Sequence, residues 1–405
     1  MQGKTLLFVG AGARDLGAIE RSRALGVRVV VLDDDIDAPG LAAADIAEVG
    51  DTHDPAPIVT LGRRHAVDGV VSASSDRAVA VVAAVARELG LPGLAPEVEH
   101  VFTNRIAMRR VFAEEGVQQP RFAAARTLQE ARAAATTVGF TSLLKPAEAH
   151  GARGVFRLAS IDDLDAHLHA ALAESDEEEV ILERDGTVTM TTAIIVERDG
   201  DATLVSLIGT AGAAASASTA DASQIYPASI FGDVLADVER AALHAAHVLG
   251  LRNGVITVRV ALDAESEPLV VDATARIPDA WLLDLCLAAV EVDLFEICVR
   301  QALGKPVADE LVQPRRQQPA AVRFVRRDSA VPSEGLVSHV GSADKVLAFP
   351  GVVGVELYVR EGETVGGRRA EGPQGYVVAT ADTNVEALER ATAAARLVDV
   401  VVEPV

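Results

Sequence analysis

Short apolar runs alternate with helix-period segments over the first hundred residues. Residues 6–9 (Leu-Leu-Phe-Val) read as a buried strand, and the turn Gly10-Ala11-Gly12-Ala13-Arg14-Asp15-Leu16-Gly17 opens a helix. That helix carries Ile19, Arg23 and Leu25 and stops at Gly26. Residues 27–32 form a second strand ending in Asp33-Asp34-Asp35, and a helix over 57–64 precedes a strand over 68–72. A helix over 77–89, stopped by Gly90, completes the pattern. Repeated strand–helix units of this kind predict a parallel sheet with helices on both faces.

The pattern changes after the break at 92–96. A helix is predicted over 102–115 and another over 128–138, then a strand over 142–146, a loop over 147–154 and a strand over 155–158. A helix over 161–173 and an acidic loop lead to two strands, 179–183 and 188–196, read as an antiparallel pair around Asp185-Gly186. Residues 211–223 are almost all Ala, Ser, Thr and Gly, a loop composition. A helix over 234–249 precedes the hairpin 255–262/268–272, and 282–303 reads as one long apolar helical stretch. Strands at 321–325, 352–359 and 376–379 and a helix at 384–395 follow. The fold class expected is therefore a multidomain mixture of α/β and α+β with an N-terminal parallel sheet.

Length and charge narrow the functions. The 405 residues suit two or three domains. With 59 acidic against 37 basic residues the net charge is −22, which argues against a nucleic-acid backbone binder but not against a local basic pocket. No apolar run reaches about 18 residues, so no membrane span is expected. The N-terminal Met1-Gln2-Gly3-Lys4 leads straight into a strand-length run rather than a secretory signal. The two cysteines, Cys286 and Cys298, form neither a disulfide framework nor a metal-ligand pattern, and a cytoplasmic setting is expected.

Several local patterns have bland and functional readings. Gly10-x-Gly12, with Gly17 but no glycine three residues after Gly12, is an imperfect dinucleotide fingerprint; Asp33 stands near the place of a ribose-binding acid. The same glycines also serve a tight strand-to-helix turn. His244 and His247 share a helix face without a third ligand nearby. The turn Ser72-Ala73-Ser74-Ser75-Asp76 either lines a cleft or caps the next helix.

Five spaced motifs together carry a resemblance. They are Phe102-Thr103-Asn104-Arg105-Ile106-Ala107-Met108-Arg109 with Gly116-Val117 and Pro120; Lys145-Pro146-Ala147 leading to Gly151-Ala152-Arg153-Gly154-Val155; and Val180-Ile181-Leu182-Glu183 with Gly186. The fourth runs from Gly254 to Arg259 and on to Val270-Val271-Asp272-Ala273-Thr274-Ala275-Arg276-Ile277-Pro278; the fifth is Glu291-Val292-Asp293-Leu294 with Ala302-Leu303-Gly304. In this order the chain resembles the ATP-grasp superfamily, in particular its carboxylate–amine ligase branch with the L-amino acid ligases.

The resemblance implies an N-terminal α/β domain with its connecting helix at 1–120, a lid subdomain at 121–200, a central subdomain at 201–318 and a C-terminal α+β subdomain at 319–405. It implies ATP as cofactor, bound by Arg105, Lys145, Gly151, Gly154 and Glu183 (Glu183 either meeting the adenine or ordering the hinge), with Arg153 toward substrate; His150, in the same glycine loop, either touches substrate or faces solvent. Arg276 and Arg259 are the catalytic candidates, and the partners implied are a small carboxylate, a small amine and a second copy of the chain in a homodimer. The apolar stretches 282–303 and 321–325 fit that dimer or fill the core of one chain. Mg²⁺ is expected by resemblance, with Asp272 as its remaining carboxylate. However, Arg259 stands at the first carboxylate position and Thr274 at the Asn position, and a guanidinium cannot ligate a cation. Asn104-Arg105 replaces Asp-Lys, and Val188 stands near the place of a ribose-binding Glu. Arg259 either supplies charge to phosphates directly or pairs with Asp272 across the hairpin. The function implied is ATP-dependent carboxylate–amine ligation through an acyl phosphate; the alternative is a degenerate, non-catalytic ATP-grasp protein that binds a ligand or partner.

Overall fold

The computed structural model describes residues 1–73, 77–148, 153–186, 189–211, 222–326, 335–366 and 372–403. The chain divides into two compact units. The first comprises Met1–Leu204, Ile230–Pro278 and Phe295–Ala308; the second comprises Val205–Ser229, Asp279–Leu294 and Asp309–Val405. The segments 1–120 and 121–200 thus both lie in the first unit, 201–318 is shared, and 319–405 falls in the second.

The first unit opens with the expected parallel sheet, in the order Ile46–Val49, Arg28–Asp33, Thr5–Val9, Gly69–Val71. Leu6, Leu7, Phe8, Val29, Val30 and Val31 are fully buried, as strands covered on both faces require. Gly69 ends this sheet against another element: a Cβ there would stand 2.6 Å from the Ala302 carbonyl oxygen.

A four-stranded antiparallel sheet follows, ordered Phe122–Ala125, Val180–Arg184, Ser142–Pro146, Phe156–Leu158. The helices Leu128–Val138 and Ile161–Leu172 pack into its core through Ala131, Ala135, Leu164 and Leu168. The third group of strands, Thr189–Arg198, Gly254–Leu262 and Pro268–Thr274, is antiparallel, with Arg259 opposite Thr192 on one side and Asp272 on the other.

Three expectations need correction. The strands expected at 179–183 and 188–196 are not a hairpin. Both edges of Val180–Arg184 are taken by Phe122–Ala125 and Ser142–Pro146, so Thr189–Arg198 pairs instead with Gly254–Leu262. The helix expected over 102–115 is two helices, Pro96–Thr103 and Arg105–Glu114. Asn104 between them is extended (φ −118°, ψ 112°), and its Oδ1 accepts from the Ile106 and Ala107 amides at 2.9 and 3.0 Å. The long stretch 282–303 is likewise two helices, Ala280–Val290 and Leu294–Ala302, divided after Glu291 at φ 57°.

In the second unit, residues 205–211 of the strand Asp201–Ala211 continue through Ser223–Tyr226, Ala320–Val325 and Gly375–Thr380 to Val352–Leu357. A separate small sheet joins Thr364–Val365, Gly335–Val340 and Val400–Glu403. Leu282, Leu283, Leu285, Ala321 and Val322 are all buried within the chain. Most of the apolar stretches that suggested a dimer are therefore covered within the chain, Leu287 being exposed. Among the described residues, no helix is long and apolar enough to cross a membrane.

Asn104→Ala removes the side chain that caps Arg105–Glu114 and leaves the buried Ile106 amide and the part-buried Ala107 amide without that acceptor. The expected cost is about 1 kcal/mol, read as a lower denaturation midpoint, with Asn104→Asp close to wild type. Equal midpoints for Asn104→Ala and wild type would contradict the capping role.

Candidate functional site

Strand register brings Lys145 and Glu183 together. Leu143 lies opposite Glu183 and Lys145 opposite Ile181, so Lys145 and Glu183 are diagonal neighbours on one face. The Lys145 ammonium donates to Glu183 Oε2. Arg109, from the helix Arg105–Glu114, donates through Nε to Glu183 Oε1 at 2.7 Å. Its Nη1 and Nη2 reach the carbonyls of Val270 (2.7 Å) and Val271 (2.6 Å) on the hairpin strand Pro268–Thr274. The Arg109 and Glu183 side chains are only 2% and 3% exposed.

Burial alone would raise the Glu183 carboxyl, but Arg109 and Lys145 overwhelm it and hold the carboxyl well below the usual range. Burial lowers the Lys145 ammonium below its ordinary value; Arg105 and Arg109 add to this, while Glu183 opposes it.

A second layer of cations surrounds this core. Arg105 donates through Nη1 to the carbonyls of Pro146 (3.0 Å) and Glu148, and its own amide donates to Ala147 O at 2.7 Å. Arg259 forms an ion pair with Asp272. Burial works to raise Asp272, and Arg259, Arg105 and Lys145 outweigh it and keep the carboxyl below its ordinary value. Beside that pair, Thr257 and Thr274 share a hydrogen bond of 2.6 Å. Arg276 donates through Nη1 to Ile277 O at 3.0 Å, with Ala73 O at 3.5 Å, and lines one small hollow with Arg105, Asp272 and Thr274.

The six sequence candidates Arg105, Lys145, Glu183, Arg259, Asp272 and Arg276 thus converge. Arg109 joins them although its role was not read from sequence; its position four residues after Arg105, on the same helix face, is the available signal. Arg105, Arg109, Lys145, Arg259 and Arg276 gather around the carboxylates of Glu183 and Asp272, a local arrangement of cations suited to an anion even in a chain of net charge −22.

Of the remaining candidates, Arg153 is exposed. Gly154 has φ +64°, and a Cβ there would come within 2.8 Å of Pro146 Cγ, so the turn itself demands glycine. His150 and Gly151 lie outside the described residues, as do Val188, Ser74, Ser75, Asp76 and most of the Ala/Ser-rich stretch. The glycine turn at Gly10 is closed by its own carboxylates. Asp33 Oδ2 accepts from the Ala11 amide at 2.5 Å, Asp33 Oδ1 accepts from Asp35 N at 2.9 Å, and Asp15 Oδ2 accepts from Gly12 N at 3.0 Å. Those negative charges stand where a pyrophosphate would need amide donors, which disfavours a dinucleotide there.

The residues do not fit a carboxylate-held Mg²⁺. Asp272 is committed to Arg259, and among the described residues no group of three His, Cys, Asp or Glu side chains is placed to hold a metal, which also leaves His244 and His247 without a zinc site.

Comparison with known proteins gives three family matches. Residues 104–309, half of the chain, match the carbamoyl-phosphate synthase L chain ATP-binding domain. Residues 19–93 match the ATP-grasp N-terminal domain, and 329–403 match the L-amino acid ligase C-terminal domain 2. The chain is 27% identical over 314 residues to protein y4rH of Sinorhizobium fredii, covering 75% of this chain and 62% of that protein. It is 28% identical to the formate-dependent phosphoribosylglycinamide formyltransferase of Ignicoccus hospitalis, covering 98% of this chain and 96% of that one. In several cyanobacterial proteins of the latter name, the match spans about half of their length. Among solved structures, the L-amino acid ligase from Bacillus licheniformis superposes with a TM-score of 0.81 at 17% identity over all of both chains. The biotin carboxylase domain of Hydrogenobacter thermophilus 2-oxoglutarate carboxylase gives 0.81 at 15% identity, over 99% of this chain and 91% of that one.

Glu183→Gln leaves Arg109 buried without its anion, and the expected loss at pH 7 is about 3–5 kcal/mol. Because the Glu183 carboxyl is depressed in the folded state, its stabilisation is fully present above the ordinary glutamate value of about 4.3 and is lost as pH falls below it. Melting curves of wild type and variant at pH 7, 4 and 3 should therefore converge toward low pH. A gap that stays constant would contradict this assignment.

Proposed function

Because the chain belongs to the carbamoyl-phosphate synthase L chain ATP-binding domain family, within the ATP-grasp superfamily, we propose that it is an ATP-dependent ligase joining a small carboxylate to an amine. The observation that carries this reading is the convergence of Arg105, Lys145, Arg259 and Arg276 around Asp272 and Glu183. Lys145 and Arg105 neutralise the phosphates of the nucleotide. Glu183 positions Lys145 and, through Arg109, ties the lid sheet to the hairpin strand. Arg276 orients the acceptor carboxylate and stabilises negative charge on the tetrahedral intermediate.

In the reaction, a carboxylate oxygen attacks the γ-phosphorus and the bond from that phosphorus to ADP breaks. The amine nitrogen then attacks the acyl carbon, loses a proton, and inorganic phosphate leaves with its C–O bond electrons. Arg259 keeps Asp272 charged and offers its guanidinium toward the phosphates as a fixed cation. No step is assigned to a metal. The division into lid and central subdomains and a homodimer belong to the same proposal.

One observation favours a second reading. The Arg259–Asp272 ion pair occupies the hairpin position where the resemblance places metal carboxylates. A protein with that pair would bind nucleotide without turning it over.

ADP release with a panel of carboxylates and amines separates the two. The ligase reading expects release that needs both co-substrates. Arg276→Ala should raise KM for the carboxylate by about 10–100-fold, with nucleotide affinity nearly unchanged. ATP binding without ADP release for any pair would support the second reading instead.

A further inference from the structure

A second hollow lies beside the anion site, entirely within the first unit. Its volume is ≈ 420 Å³, in the range of small-molecule sites. Val79, Val82, Ala83, Val98, Leu251 and Ile277 give it a mostly apolar wall. Val79, Ala275 and Arg276 line both this cavity and the small hollow that holds Arg105 and Asp272. One end is polar: Ser72 precedes Ala73, whose carbonyl oxygen stands 3.5 Å from Arg276 Nη1. Ser72 is 9% exposed, and its Oγ has no hydrogen-bond partner among the described residues. The Gln301 side chain lines the wall as well; its Nε2 donates to Glu197 O at 2.7 Å, and its Oε1 has no partner among the described residues. Ser72 and Gln301 thus bring polar side chains to a cavity whose wall is otherwise mostly apolar.

We propose that this cavity binds the apolar body of a monocarboxylate, with its head group held by Arg276 and the Ser72 hydroxyl next to the phosphate site. Arg276 lies where the cavity meets the small hollow of Arg105 and Asp272, and, apart from Arg252 and Asn253, the rest of the lining is mostly aliphatic. An apolar acid of several carbons matches both parts, whereas acetate or formate would leave the wall uncovered. The proposal rests on the reading of Arg276 as the residue that orients the carboxylate.

Calorimetric titration of the full chain with straight-chain alkanoates from acetate to decanoate tests it. A methylene that becomes fully buried tightens binding about fourfold, so octanoate should bind at least about tenfold tighter than butanoate. Ser72→Ala should weaken every acid by a similar factor and leave the chain-length slope in place. Ala83→Leu should flatten the slope by filling the cavity; Ala95→Phe, at an exposed position of the rim, narrows the same cavity should Ala83→Leu not fold. Affinity independent of chain length, or a slope untouched by the folded cavity variants, would overturn the proposal. A steep slope without ADP release supports the cavity and counts against the ligase reading. Equal ADP release with short and long acids supports the ligase reading and overturns the cavity.

Discussion

The Glu183 carboxylate is the point on which the site depends. It is 3% exposed and accepts from Lys145 on one oxygen and Arg109 on the other. Three elements meet there: the strand Ser142–Pro146, its partner Val180–Arg184, and the helix Arg105–Glu114. Arg109 extends the link to the carbonyls of Val270 and Val271, so the hairpin that carries Arg259 and Asp272 is registered against the lysine strand. A buried ion pair is a poor source of net stability, since desolvation offsets most of the Coulomb gain. Its value here is positional: moving any one of these elements would strand a charge.

Electrostatics then decide what the site accepts. Two opposite charges at contact near a protein surface attract by about 4 kcal/mol. Arg259 uses that attraction on Asp272, which removes the carboxylate from service as a cation ligand while keeping it ionised. The hairpin that would otherwise present negative charge to a metal instead presents a guanidinium beside Thr257 and Thr274.

Much of this was legible in the sequence, for identifiable reasons. Apolar runs such as 6–9 and 27–32 mark buried parallel strands directly, and the glycines at 26 and 90 end helices as read. Lys145, Glu183, Asp272 and Arg276 were grouped by the family resemblance of their motifs, and the fold brings the four near one another. The hairpin around Asp185-Gly186 failed because local sequence cannot show that both edges of Val180–Arg184 are already occupied. The break at Asn104 is carried by one capping side chain inside a helix-period pattern. Arg109 was invisible in its role because its carbonyl partners lie more than 160 residues away along the chain. The pairing of Arg259 with Asp272 is a side-chain contact, which spacing does not determine.

The central claim is that this site holds a nucleotide polyphosphate with its own cations rather than through a carboxylate-bound metal. Calorimetric titration of ATP into the protein, once with EDTA and once with excess Mg²⁺, addresses it directly. Dissociation constants within about threefold of each other are the predicted result, because the hairpin carboxylate Asp272 is paired with Arg259. Tightening of tenfold or more by Mg²⁺ would contradict the account.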